Sequence, residues 1–185
     1  MGKTALIILA EGFEEIEAVS IIDTLRRGEI RVIIAGLSQV WVTGAHEIKI
    51  QADILLEKFD GSADAIILPG GLPGAENLAQ SQDVIKLVMD FYEKDKIVSA
   101  ICAAPALVLG KTGILKGKRA TCYPGFEKQL GEEVHFDPDQ SVVEDGNILT
   151  SKGPGTALSF ALSLVRKIKD QKTADSLKQA MLVCS

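Results

Sequence analysis

Cys102 stands in Val98-Ser99-Ala100-Ile101-Cys102-Ala103-Ala104-Pro105, where an apolar run gives way to a helix-forming segment. A strand that turns sharply into a helix lifts the residue at the turn above its sheet, the arrangement by which α/β enzymes present a nucleophile. Ala100, Ala103 and Ala104 are small enough for such a turn. Unpaired N–H groups and the helix dipole at that point favour an anion, so the spacing predicts a thiol whose pKa falls from about 8.5 toward about 3.5–7.5. A thiolate is both a nucleophile and a target of oxidation. The other reading of Cys102 is a small buried hydrophobe, because free Cys is among the most buried residue types. Cys122 and Cys184 lack the elbow context. Cys122 reads as a buried residue that could flank a pocket, and Cys184 as incidental.

Three acids, Glu14, Glu15 and Glu17, follow Gly12-Phe13. They come directly after the first apolar run and so belong at the carboxyl edge of a sheet, where open α/β folds bind ligands. By helical phase Glu17 points inward, whereas Glu14 and Glu15 face water. A carboxylate near a thiolate has its pKa raised by like charge, so Glu17 would be protonated and would donate to sulfur or carry a proton. The alternative is a first-turn acidic cluster that complements the helix dipole. Leu68-Pro69-Gly70-Gly71 lets backbone amides approach a ligand closely and could complete an oxyanion hole with the amide of Ala103. It is also ordinary turn punctuation. Gly153-Pro154-Gly155-Thr156 reads as a turn and helix cap that could line the same pocket. Neither loop fits the phosphate-cradling GxxxxGK[ST] pattern, which argues against an NTPase. The two histidines, His46 and His135, do not adjoin the elbow, so nothing in the sequence nominates a Cys–His hydrolytic pair. Both read as surface or interface residues.

These residues need a frame. Thr4–Leu9, Arg31–Ala35, Ala65–Leu68 and Ile97–Ile101 are continuous apolar runs, as expected of strands buried on both faces. Gln39–Thr43 and Glu47–Gln51 read as short β pieces, the second one-sided or at an edge. Arg119–Thr121 reads as a short strand, and VHFD around His135 as another. Val142–Glu144 and Ile148–Ser151 flank Asp145-Gly146, a hairpin signal. Helical spacing covers 14–27, 84–94, 156–168 and 174–182, and a further helix starts at Ala104 and runs to Lys111. Alternating strands and helices predict an α/β fold: a mostly parallel sheet covered by helices on both faces. Ile16, Val19, Ile22 and Leu25 share one side of the first helix, and Ala18 and Ile21 widen it. That surface is broader than one sheet face needs, so the helix is either a dimer contact or deeply buried in the monomer.

With 46% hydrophobic and 24% charged residues, the 185-residue chain has a globular balance and reads as a single domain, 1–185. The net charge of −5 argues against nucleic acid as a partner. MGKTALIILA is too short in its apolar part for a signal peptide and reads as a first strand. No run approaches the roughly 18–20 apolar residues of a membrane helix, so no membrane partner is expected. Three cysteines without a CxxC pair fit neither a disulfide framework nor a zinc site, and point to the reducing cytoplasm.

Four segments, in order, resemble the ThiJ/PfpI superfamily and more narrowly its DJ-one-like branch. ILAEGFEEIEAV resembles the family's first strand and glutamate-bearing helix, LPGGLPGAENL its glycine loop, SAICAAPALVL its nucleophile elbow, and DGNILTSKGPGTALSFAL its C-terminal hairpin and helix. The resemblance implies a flavodoxin-like three-layer α/β/α sandwich and a homodimer, for which the helix 14–27 is the candidate contact. It implies Cys102 as the reactive cysteine, Glu17 as its acidic partner, and backbone N–H groups of Gly71 and Ala103 for an oxyanion. Gly70, Tyr123, Lys152, Gly153 and Pro154 fall in the implied pocket. The implied activity is glyoxalase or deglycase chemistry on methylglyoxal or its adducts, with no cofactor and no metal. Members are also described as oxidative-stress sensors and chaperones. The chain departs from the pattern at three places. No histidine stands where the related peptidases and amidotransferases place one, so neither of those activities is favoured. Tyr123, in Cys122-Tyr123-Pro124, takes the place of a pocket histidine. His46 and Lys152 stand where the family has arginines.

Overall fold

The apolar runs build one sheet and the segments between them cover it. In the computed structural model, which describes residues 2–183, the order begins with β1 (Thr4–Leu9), α1 (Glu15–Arg27), β2 (Arg31–Gly36), β3 (Trp41–Thr43), β4 (Lys49–Gln51), β5 (Ile54–Leu55) and β6 (Ala65–Leu68). It continues with α2 (Gly74–Gln80), α3 (Gln82–Glu93), β7 (Ile97–Ile101), α4 (Gly110–Thr112), β8 (Arg119–Ala120) and β9 (His135–Phe136). It ends with β10 (Val142–Asp145), β11 (Ile148–Ser151), α5 (Ala157–Ile168) and α6 (Gln171–Ala180).

Seven strands form the main sheet in the order β10-β11-β7-β6-β1-β2-β5. All neighbours are parallel except β10 and β11, which the turn at Asp145-Gly146 folds into an antiparallel hairpin. Ala5–Leu9 and Ala65–Leu68 are wholly buried, as a sheet covered on both faces requires. α1 packs on α5, while α2, α3 and the turn after Cys102 pack together and against β6 and β7. These two helical layers complete the α/β/α sandwich. No helix among the described residues is long and apolar enough to cross a membrane.

Several local expectations change. β3 and β4 pair with each other outside the main sheet, and β8 pairs with β9 apart from it. The edge position goes instead to β5, whose two residues gave no periodic signal. α2 is absent from the sequence reading because its first turn opens on glycine and lacks a capping side chain. α3 starts two residues earlier than predicted, where the Ser81 hydroxyl accepts from Val84 N. The helix expected over 104–111 is a π-helical turn, Pro105–Leu109, followed by the short α4. α6 starts at Gln171, capped by Asp170 accepting from Thr173 N. On α1, Ala18, Ile21, Ile22 and Leu25 are buried, but Ile16 is 58% and Val19 48% exposed. The monomer therefore does not bury the whole surface of that helix.

Candidate active site

Strand order sets the location. β1 has β2 on one side and β6 on the other. The chain runs from β1 to β2, then returns across β1 to β6 and on to β7, so the order reverses at β1. The carboxyl ends flanking such a switch point form a crevice. The loop after β1 leads into Glu17, the loop after β6 carries Gly70 and Gly71, and Cys102 follows β7.

Cys102 occupies the left-handed region with φ 65°, a conformation that L-residues enter at a cost of about 1–3 kcal/mol. The neighbours hold it there. Its N–H donates to the Ser151 carbonyl at 2.9 Å, and its own carbonyl accepts from Tyr123 N at 2.8 Å. The side chain projects toward Gly70, and a methyl built on Gly70 would lie 2.9 Å from Sγ and 3.0 Å from Glu17 Oε2. Only glycine lets thiol and carboxyl converge at that point. Gly71, with φ 87°, is glycine for a second reason, since a side chain there would collide with the backbone of 12–14. Backbone N–H groups of Gly71 and Ala103 both lie close enough to the Cys102 sulfur to favour its anion. The two amides expected at an oxyanion therefore do converge on the elbow residue.

Glu17 is fully buried. Its Oε2 accepts from Gly70 N at 2.7 Å. Oε1 has no partner of good geometry among the described residues, although the carboxyl as a whole lies within hydrogen-bonding reach of the Cys102 thiol. Burial pushes the Glu17 pKa up to about 7, against the pull of the Gly70 N–H. Cys102 shows the opposite of the expected shift. Burial, and then the Glu17 charge, push its pKa up to about 12, and the amides of Gly71 and Ala103 only partly offset this. The elbow supplies the stabilising donors, but it supplies them in a dry site. The two groups titrate as a pair, and the carboxyl is the member that ionises near neutrality.

The expectation that Glu15 faces water is wrong. Glu15 is 4% exposed. Its Oε1 accepts from His46 N at 2.7 Å and Ile48 N at 3.3 Å, and Oε2 lies 2.9 Å from His46 Nδ1. The carboxylate thus pins the turn between β3 and β4 onto the start of α1, and these N–H groups hold its pKa below the usual range despite burial. Glycine at Gly44 was the signal for this contact, since a side chain there would collide with the Glu15 carboxylate. His46 is exposed and its pKa is raised by Glu15 and then Glu14. Glu14, Glu15 and His46 have one ligand atom each within 4.8 Å of the others, the arrangement closest to a metal site among the described residues. A metal there would have to displace the hydrogen bonds that hold the hairpin.

The remaining pocket residues divide. Tyr123 reaches the site through its backbone bond to Cys102, and its ring lies over Gly153. Pro154 begins a single 3-10 turn, Pro154–Thr156, in which the Thr156 hydroxyl bonds the Gly153 backbone and the Ser151 hydroxyl. Ser151, unremarked in the sequence, thereby links the elbow strand to this loop. The Lys152 ammonium donates to the Pro138 carbonyl at the surface. Cys122 is buried, and its pKa is pushed up to about 12 by burial and then Glu127. Cys184 lies outside the described residues.

The chain is similar to known proteins along its length. The model of the DJ-1/PfpI family matches residues 3–167. Protein DJ-1 homolog B of Arabidopsis thaliana is 42% identical over 180 residues, 96% of this chain and 41% of that protein. The chain likewise spans 47% of DJ-1 homolog A of the same plant, so it covers less than half the length of these two relatives. A Caenorhabditis elegans relative, Glutathione-independent glyoxalase DJR-1.2, is 36% identical over 95% of this chain and 94% of its own. The crystal structure of Drosophila melanogaster DJ-1beta superposes with a TM-score of 0.95 at 36% identity, covering all of both chains. The chain belongs to the DJ-1/PfpI family.

Proposed function

We propose that the protein converts an α-oxoaldehyde such as methylglyoxal to the corresponding hydroxy acid without a cofactor, using Cys102 and Glu17. The observation that carries this reading is the convergence of a thiol, a buried carboxyl near neutral pKa and two backbone N–H groups on one point. Glu17 takes the Cys102 proton as sulfur adds to the aldehyde carbon. The amides of Gly71 and Ala103 hold the oxyanion that forms. Glu17 delivers the thiol proton to the oxygen of the neighbouring carbonyl and, as the carboxylate, carries the proton of the former aldehyde carbon to the neighbouring carbon; the oxyanion becomes the carbonyl of a lactate thioester on Cys102. Water hydrolyses that thioester, releasing lactate and the thiol, so the net change is addition of one water. Adducts of methylglyoxal with amines or thiols are proposed substrates of the same site. The C. elegans glyoxalase supports the reaction class. The proposed compartment is the reducing cytoplasm, where Cys102 stays a thiol.

The test is lactate formation from methylglyoxal, without glutathione, by wild type, Cys102→Ser and Glu17→Ala. Turnover in wild type that is lost in both variants supports the proposal. Turnover that survives Cys102→Ser contradicts it.

A second reading is redox sensing, favoured by the two amides and the carboxyl that would hold a sulfinate oxygen on Cys102. Graded peroxide followed by mass spectrometry should then add oxygen at Cys102 before Cys122. We also propose that a second copy of the chain covers the exposed Ile16 and Val19 of α1. Sedimentation of wild type as a dimer and of Val19→Asp as a monomer is the expected result.

A further inference from the structure

The molecule also carries a hollow apart from the thiol site. A cleft of about 910 Å³ opens at the carboxyl ends of β1 and β2, between the loops that follow them, the 55–59 segment and the start of α3. That volume is in the range of about 300–1,000 Å³ typical of small-molecule sites. None of Glu17, Gly70, Gly71, Cys102 or Ala103 lines it. Its apolar surface comes from Leu37, Leu55, Phe59 and Leu87, all half-buried, over a floor that includes the buried Leu9 and Val42. Its charged lining is of one sign only: Glu11, Glu57 and Asp83, with no lysine, arginine or histidine among the lining residues. Glu57 has a solvent-exposed partner in Lys58, which is outside the lining, so the unbalanced charge rests on Glu11 and Asp83. Glu11 is built into the wall. Its Oε1 accepts from Thr43 N at 2.8 Å and from the Gln39 side chain, and its backbone carbonyl accepts from Asn77 Nδ2 at 3.0 Å. These bonds fix the carboxylate at the cleft and leave Oε2 for a ligand.

We propose that this cleft is a second binding site, for a protonated amine carrying an apolar body. The apolar wall takes the body, and the carboxylates of Glu11 and Asp83 select its charge. A carboxylate or phosphate ligand would meet only like charge. The site is independent of the chemistry assigned to Cys102, and binding survives Cys102→Ala.

Three probes of nearly one shape separate charge from shape: 2-cyclohexylethylammonium, 2-cyclohexylethanol and 3-cyclohexylpropanoate. Titration is followed by amide shifts in a ¹⁵N-labelled protein. The expected result is saturable shifts at Glu11, Ser38 and Asn77, with the ammonium binding at least about tenfold tighter than the carboxylate, the alcohol falling between. Glu11→Gln, which keeps the acceptor for Thr43 and Gln39, and Asp83→Asn should each shrink that ratio. Ser38→Trp, a rim substitution at an exposed position, should abolish binding while leaving the rest of the spectrum in place. Absence of saturable shifts with the ammonium overturns the proposal. So does equal binding of the three probes, or binding that Ser38→Trp leaves intact.

Discussion

Glu15 and Glu17 sit two residues apart on one helix, both nearly inaccessible to water, and their acidities move in opposite directions. Glu15 receives two backbone N–H groups and the His46 ring on its two oxygens, and its pKa is lowered. Glu17 receives one backbone N–H on Oε2 and shares the other side with a thiol, and its pKa rises to about 7. Both are closed to water, but Glu17 lies deep in the fold and Glu15 lies under the exposed turn at His46, so burial outweighs the single donor at Glu17 and the donors outweigh burial at Glu15. The first carboxylate is a structural anchor that stays charged. The second is a reservoir for one proton beside a nucleophile.

This contrast is sharpest under mutation. Glu17→Gln keeps the shape and the acceptor for Gly70 N but removes the exchangeable proton, so turnover should fall about 10²–10⁴-fold with the fold intact. A drop below tenfold in a steady-state lactate assay would remove Glu17 from the proton path. Glu15→Ala should do the reverse. It strands the N–H groups of 46–48 beside a cavity and should destabilise the protein by roughly 2–4 kcal/mol, read by urea denaturation, while each folded molecule keeps most of its turnover.

The two acids also predict opposite pH dependences. The Glu17 pKa is higher folded than unfolded, so between pH 4.5 and about 7 the native state binds more protons and stability falls as pH rises. The full effect is roughly 3 kcal/mol. Glu17→Gln should abolish that slope and be more stable than wild type at pH 8. The Glu15 pKa is depressed, so its contribution is present above 4.5 and is lost as pH falls through its folded value. Acid unfolding should therefore begin at higher pH in wild type than its loss of native charge pairs elsewhere would give, and Glu15→Gln should flatten the acid limb. The smallest effect belongs to His46, whose raised pKa makes its ion pair present below about 6.5 and lost as pH rises through the folded value. His46→Ala should shift the melting temperature detectably at pH 5.5 and not at pH 9.

Most of the frame was legible because it is local. Ala65–Leu68 and Ile97–Ile101 are apolar runs and Ile148–Ser151 follows the Asp145-Gly146 turn signal, and all three are strands with those bounds. Cys102 was legible from the strand-to-helix switch, and Glu17 from its phase on α1. Glu15 was not, because its donors come from residues 46–48, a separation that periodicity within one helix does not sense. The direction of the Cys102 shift was not legible either. Helix position and amides argue for a low pKa, and only the packed site reveals that burial and Glu17 outweigh them. The split of α1 into a buried side and an exposed Ile16 and Val19 likewise depends on where α5 lies.

The most direct test of the account is a ¹³C titration of the glutamate side-chain carboxyls, with Glu15 and Glu17 assigned through Glu15→Gln and Glu17→Gln. The account predicts a Glu17 midpoint at about 7, moved by Cys102→Ala, and a Glu15 midpoint below 4.5 that Cys102→Ala leaves alone. A Glu17 midpoint below about 5, where ordinary carboxyls titrate, would contradict the account and leave the thiol without its proton carrier.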